Sequence, residues 1–287
     1  MSYSLNALYQ VVGISKQAVH QYERRQQAFN EKVSHLLIEA DELRRDHPGC
    51  GVEKMYYTLR PDFIGRDRFV ELMMSLGYRL KKPRNYQKTT FRGAFYYPNL
   101  IKGLKLNARS TVWQSDITYF DVAGKYYYGV FITDVYTRKV VGYQISDHLR
   151  ATANVKALKM ALSKEKAPLI HHSDRGSQYI YKPYIELLKT NDVQISMGIC
   201  AQDNAYAERF HRTIKEEYLN YWNPKTFNSL KSMVRKAVKH YNNHRIHNEL
   251  LRKSPRDFIE YWDSLTSEQR PVFTIFDDQL ISNNGQL

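Results

Sequence analysis

At Val112 the chain changes its hydrophobic period, and the order of segments that follows leaves few folds open. WQSDITYFDV alternates apolar and polar residues as a half-buried strand does. GKYYYGVFITDVYTRKVVGYQIS reads as two more strands, rich in β-branched and aromatic residues, meeting at a turn near Thr137-Arg138. A helix is predicted in ATANVKALKMALSK, a strand in APLIHHSD, a helix in YKPYIELLKTND, a short strand in VQISM and a helix in NAYAERFHRTIKEEYL. The order β-β-β-α-β-α-β-α predicts an α/β core in which helices cover a single sheet. Two basic helices should follow, one in NSLKSMVRKAVKHYNNHR and one starting near Ser254-Pro255.

Ahead of Val112 the texture is helical. SLNALYQVVGISKQAVHQYERR (residues 4–25) has the layout of a helix-turn-helix: Leu5, Leu8 and Val12 share a face, Gly13 suits a turn with positive φ, and Ser15 can cap a second helix whose apolar face continues through Val19 and Tyr22. Lys16, Gln17, His20 and Gln21 would then point towards bases or phosphates. A charged amphipathic helix over 31–46, a break at HPGCG and helices over 52–60 and 66–76, the last ending at Gly77, make a second helical unit. The expected divisions are 1–28 (helix-turn-helix), 29–82 (second helical DNA-binding unit), 83–110 (basic linker), 111–222 (catalytic core), 223–262 (C-terminal helices) and 263–287 (acidic, loosely ordered tail).

Charge points to the partner. The 287 residues carry 43 Lys and Arg against 29 Asp and Glu, a net charge of +14 that favours a polyanion. Between Glu71 and Asp116 there is no acidic residue, while Arg79, Lys81, Lys82, Arg84, Lys88, Arg92, Lys102, Lys105 and Arg109 alternate with Tyr86, Phe91, Phe95, Tyr96 and Tyr97. Cations that neutralise phosphates and aromatics that can stack suggest an arm tracking nucleic acid, with Arg79, Lys81, Lys82 and Arg84 as contacts. No apolar run approaches the ~20 residues of a membrane span, and MSYSLNALYQ lacks a secretory pattern. The expectation is a cytoplasmic protein without a membrane partner. Cys50 and Cys200 make neither a disulfide framework nor a zinc site.

Three acids stand in comparable places: Asp116 in the first strand, Asp174 at the end of the fourth, and Glu208 in the helix after the fifth. Brought together they would repel one another unless a cation neutralised them, and hard oxygen donors beside a phosphate substrate suit Mg²⁺ or Mn²⁺, with two ions able to serve an in-line displacement. Asp121 reads as a surface-turn residue, Asp134 as a cap for the turn before Arg138, and Asp203 as the N-cap of the Glu208 helix. Glu208, Arg212 and Lys215 fall on one helical face, which suits a metal-bound phosphodiester with flanking phosphates. Arg175, directly after Asp174, is a candidate either to contact DNA or to order the loop. His171 and His172 should face opposite sides of a strand, one of them buried; His172 and Asn204 are candidates to stand behind the metal ligands. His240, His244 and His247 share a spacing that imitates a zinc site, but without a nearby Cys or acid cluster they read as DNA-facing or packing residues.

WQSDITYF, FITDVYTRKVVGYQIS, HHSDRGSQY and QDNAYAERFHRTIKEEY, in that order, resemble the integrase core of bacterial insertion-sequence transposases of the OrfB type, related to retroviral integrases. The preceding helical units and YNNHRIHNELLRKSP fit the same pattern, so the resemblance covers all but the acidic tail. It implies an RNase H-like core with a mixed five-stranded sheet, and Asp116, Asp174 and Glu208 as a metal-binding catalytic triad. It implies water cleaving the element ends, 3′-OH strand transfer from one end to the other through a circular intermediate, and a multimer, at least a dimer, on double-stranded DNA carrying the terminal repeats and the target. An upstream small-frame product, separate or fused, is a further implied partner. The 33 residues between Asp174 and Glu208 are two fewer than the family usually shows, a shortening that falls in ISMGICAQ. Two rival readings remain: a domesticated or silent DNA-binding descendant, and an RNase H-like nuclease on RNA–DNA hybrids.

Overall fold

The computed structural model describes Tyr9 and residues 11–80, 96–198 and 201–275. The leading helix expected before Tyr9, most of the basic arm, and Lys81, Lys82 and Arg84 lie outside the described residues. The chain divides into two compact units, Met1–Lys81 and Lys82–Leu287.

In the first unit, α1 (Lys16–Asp46) is capped by Ser15, whose Oγ accepts from Ala18 N at 3.1 Å, directly after Gly13 turns the chain at φ +71°. The two helices expected over 15–25 and 31–46 are one, so the boundary expected at 28/29 falls inside a continuous helix. The stretch between them, Glu23–His35, contains neither glycine nor proline to interrupt it. Only the later turns of α1 carry buried residues, Leu36 and Ala40; these pack with Met55 of α2 (Val52–Leu59) and with Phe69 and Met73 of α3 (Arg66–Ser75). Val12 and Tyr22, expected on packed faces, are exposed.

The second unit is built on a five-stranded sheet. β2 (Val112–Val122), β3 (Lys125–Asp134) and β4 (Val140–Ser146) form an antiparallel meander; β5 (Ile170–Ser173) adds parallel to β2 and β6 (Gln194–Met197) parallel to β5. The spatial order β4-β3-β2-β5-β6 makes β2 the centre. One face is covered by α4 (Thr152–Leu162) and α5 (Lys182–Thr190), packed on Trp113, Val130 and Ile132. Gly142 lets α4 approach β4: a Cβ there would strike the Ala157 carbonyl oxygen and come within 2.9 Å of Ala161 Cβ. The other face is covered by α6 (Ala205–Ile214) and α7 (Phe227–Asn243), packed on Phe120, Phe131 and Ile145. With both faces covered, His171 and His172 are both buried, correcting the expectation of one.

Several expected boundaries dissolve in this packing. α7 shares the sheet's own core, so residues after 222 are not a separate layer. The second half of the supposed linker is also core: Ile101 and Leu106 are buried, and β1 (Lys105–Leu106) pairs with β7 (Phe273–Thr274), a strand inside the expected loose tail. Tyr136, α8 (Pro255–Asp263, through Phe258) and Ile275 complete that cluster. α6 runs on through a π-turn, Lys215–Leu219, from which Glu217 makes two 2.7 Å bonds to the Arg245 guanidinium. His240 accepts or donates to Tyr218 Oη at 3.0 Å, and α7 ends before His244, so the three histidines do not share a helix face. Among the described residues no helix is long and apolar enough to cross a membrane.

Candidate active site

The register of the central parallel pair sets the site. Val112 pairs with Ile170, and the ladder ends where Ser115 pairs with Ser173. The next residues in that register are Asp116 and Asp174. Parallel strands stand ~4.8 Å apart, so two carboxylates emerge side by side at the end of β5. Beyond Ser115, β2 continues alone on that side as far as Val122. The notch lies at the carboxyl end of a parallel strand, where open α/β sheets bind their ligands.

Asp116 is the electrostatic hub. Its Oδ1 accepts from Ile117 N at 2.8 Å and its Oδ2 lies 3.3 Å from His211 Nδ1 on α6. Asp174 Oδ1 accepts from Gly176 N at 3.0 Å; burial, reinforced by the Asp116 charge, pushes its carboxyl up to about 6. Glu208 stands in the first turns of α6, and its carboxyl is also raised, by burial and then by Asp116, against the pull of His211 and Arg212. Lys215 folds over the Tyr119 ring, 4.6 Å from its centroid; burial lowers its ammonium to about 8 while Asp116 holds it up. Tyr179 places its hydroxyl 3.1 Å from Ser115 Oγ, and burial together with both aspartates drives its pKa well up.

Crowded carboxylate oxygens, with the Asp116 charge raising the carboxyls of Asp174 and Glu208, are the chemistry a hard divalent cation relieves, and Asp116 and Asp174 fit such an ion. Glu208 is exposed, and among the described residues no three His, Cys, Asp or Glu side chains are gathered closely enough to hold a metal. The structure therefore brings Asp174 and Glu208 each into electrostatic reach of Asp116, without closing the three into a cage.

Other expected residues fall in varied places. His172 bonds Ser196 Oγ through Nδ1 at 2.8 Å, and burial lowers it to about 4; its charge partner is Asp203, not Asp174. Asn204, not Asp203, is the N-cap of α6, and it makes no side-chain cap bond; its Nδ2 instead reaches Ser115 O at 3.4 Å. Asp134 caps its turn as expected, accepting from Thr137 N, and Asp121 accepts from Gly124 N. Arg175 sits over Tyr96, its Cζ 4.1 Å from the ring centroid, and Arg212 is exposed. Lys16, Gln17, His20, Gln21 and Arg79 are exposed on the first unit. Sequence reasoning missed Gln114, His211 and Tyr179; a polar Gln114 near the start of a strand bound for the core was the available signal.

The integrase core domain family matches residues 107–202 in one form and 192–255 in another. A 31 kDa protein of insertion element IS600 from Shigella sonnei is 33% identical over 213 residues, 71% of this chain and 78% of that protein. The transposase for insertion sequence element IS904 of Lactococcus lactis subsp. lactis is 34% identical over 203 residues, 68% of this chain and 80% of the relative. Among solved structures, the magnesium-bound catalytic core domain of HTLV-2 integrase in its trimeric form aligns with a TM-score of 0.45 at 19% identity, covering 56% of this chain and 98% of that one. The intasome of simian T-cell lymphotropic virus in complex with the PP2A subunit B56 gamma aligns at 0.48 and 17%, covering 80% and 76%.

Proposed function

The chain belongs to the insertion-sequence transposases that carry an integrase core domain, and on that premise we propose that it cuts the ends of its own mobile element and joins them by strand transfer. In the first step water attacks the terminal phosphodiester, the bond to the 3′ oxygen breaks, and that oxygen leaves as a hydroxyl. In the second step the freed 3′-OH attacks another phosphodiester, one bond forming as one breaks, so no energy cofactor is consumed. Asp116, Asp174 and Glu208 would hold Mg²⁺, or Mn²⁺ in its place, as two ions which when bound supply neutralising charge at the phosphate and acidify the attacking hydroxyl. Lys215 and Arg212, on the helix that carries Glu208, orient the flanking phosphates, and Arg175 orders the loop after Asp174 against Tyr96.

The observation that carries this reading is the β2–β5 register that sets Asp116 beside Asp174. The substrate is double-stranded DNA, the terminal inverted repeats first and the target afterwards. Lys16, Gln17, His20, Gln21, Arg79 and the arm residues Lys81, Lys82 and Arg84 supply its contacts outside the core. Holding two ends calls for at least a dimer, with an upstream small-frame product as a further partner, acting at the bacterial nucleoid. A silent DNA-binding descendant is the competing reading, favoured by the exposed Glu208 standing apart from a closed cage.

The deciding experiment offers the wild type and Asp174→Asn the element-end DNA with Mg²⁺ and scores joined ends. Product from the wild type alone supports strand transfer at this site. Product from both excludes Asp174 as a ligand, and DNA binding without product from either, with the upstream frame supplied, supports the silent descendant.

A further inference from the structure

Gln114 is fully buried in β2, two residues before Asp116 and therefore on the same face of the sheet. A buried primary amide is costly unless both of its ends are bonded. Here both ends go to one short segment: Nε2 donates to Asp203 O at 2.8 Å, and Oε1 accepts from Ala207 N at 3.0 Å. Ala207 is the third residue of α6, and its N–H is one that an N-cap side chain ordinarily satisfies. The N-cap, Asn204, does not do so. The cap is supplied from another element, by the strand that carries Asp116, and the residue after Ala207 is Glu208.

We infer that Gln114 is a positioning residue that caps the Glu208 helix from the Asp116 strand and so sets the spacing of those two carboxylates. The inference rests on the triad reading above. The bond to Ala207 N fixes how far α6 slides along β2, and the bond to Asp203 O fixes its rotation; neither alone would do both. Asn204 Nδ2, reaching Ser115 O, strengthens the same seam. The chain thereby links two segments about ninety residues apart through one side chain. Glutamate has the same length but only acceptors when ionised, so Gln alone supplies both bonds without taking up a proton.

The test uses the full chain and Mn²⁺ alone as probe, reading free ion by electron paramagnetic resonance, with a thermal melt and end-DNA binding alongside. The variants are Gln114→Met, which keeps the volume and loses both bonds, Glu208→Gln, and the double variant. Gln114→Met is expected to bind end DNA as the wild type does and to bind Mn²⁺ at least about tenfold more weakly, in the range typical of residues that orient metal ligands. In the Glu208→Gln background the same change is expected to have no further effect, because its influence runs through Glu208. An equal loss in both backgrounds, or none in either, overturns the role of Gln114. Mn²⁺ binding by Glu208→Gln that matches the wild type overturns the triad reading instead. Should Gln114→Met fail to fold, Gln114→Asn takes its place: it keeps the amide but is one methylene too short to span both bonds. An intermediate loss of Mn²⁺ affinity from it supports the inference, and none refutes it.

Discussion

Asp174→Asn should make the protein more stable while removing its activity, and the size of the gain follows from the site. The Asp174 carboxyl is raised from 3.8 to about 6, first by burial and then by Asp116. Between those values the native state binds more protons than the unfolded chain, so stability is fully present below pH ~4 and is lost as pH rises through 6. At 1.36 kcal/mol per pKa unit, keeping the carboxylate ionised at neutral pH costs the fold about 3 kcal/mol, which partial solvent access reduces to about 1–2 kcal/mol. Asparagine removes the charge and keeps the oxygen that accepts from Gly176 N. For a unit of this size the melting temperature should rise by roughly 2–8 °C at pH 7.5 without metal, and by almost nothing at pH 4. Scanning calorimetry at both values measures it. Adding Mg²⁺ should then raise the wild type towards the variant, since binding to the native state adds stability by mass action. A variant that melts at or below the wild type at pH 7.5, or one whose advantage is the same at pH 4, would refute the claim that burial and Asp116 strain this carboxyl.

Glu217→Gln leaves the Arg245 guanidinium, only 9% exposed, without its counter-charge and should lower urea stability by about 3 kcal/mol with an unchanged m-value; a change under about 1 kcal/mol would show that the pair is solvated. Gly142→Ala drives a methyl group into the Ala157 carbonyl and against Ala161, so α4 must shift and stability should fall by about 1–3 kcal/mol in a thermal melt; an unchanged melting temperature would mean that α4 sits further from β4. His171 and His172, lowered by burial to about 3 and about 4, are neutral in the fold, so their contribution is present above pH ~6.5 and is lost as pH falls through the folded values. Acid unfolding should therefore begin below pH ~6, and proton NMR showing either ring titrating near 6.5 in the native state would contradict their burial.

Much of this protein is local and was therefore legible. A period-2 run marked β2, β-branched and aromatic residues marked β3 and β4, Ser15 announced the cap of α1, Ser254-Pro255 the start of α8, and Asp174 stood at the end of the fourth strand. The helices expected over 15–25 and 31–46 are one, because the stretch between them holds no glycine or proline to end it. The tail strand at Phe273–Thr274 was missed because two residues carry no period; their strand exists only because Lys105–Leu106 offers an edge.

What the sequence by itself determined is the kind of residue at each place: carboxylates at strand ends, apolar stripes, caps and turns, all set by spacings of a few residues. Only the tertiary structure decided which of them meet. The β2–β5 register joins Asp116 to Asp174 across 58 positions of chain, Gln114 reaches Ala207 across 93, and Glu217 finds Arg245 across 28. None of these pairings has a local signature, because each arises when two covered sheet faces close and every buried polar group must find a partner in whatever segment the packing places beside it.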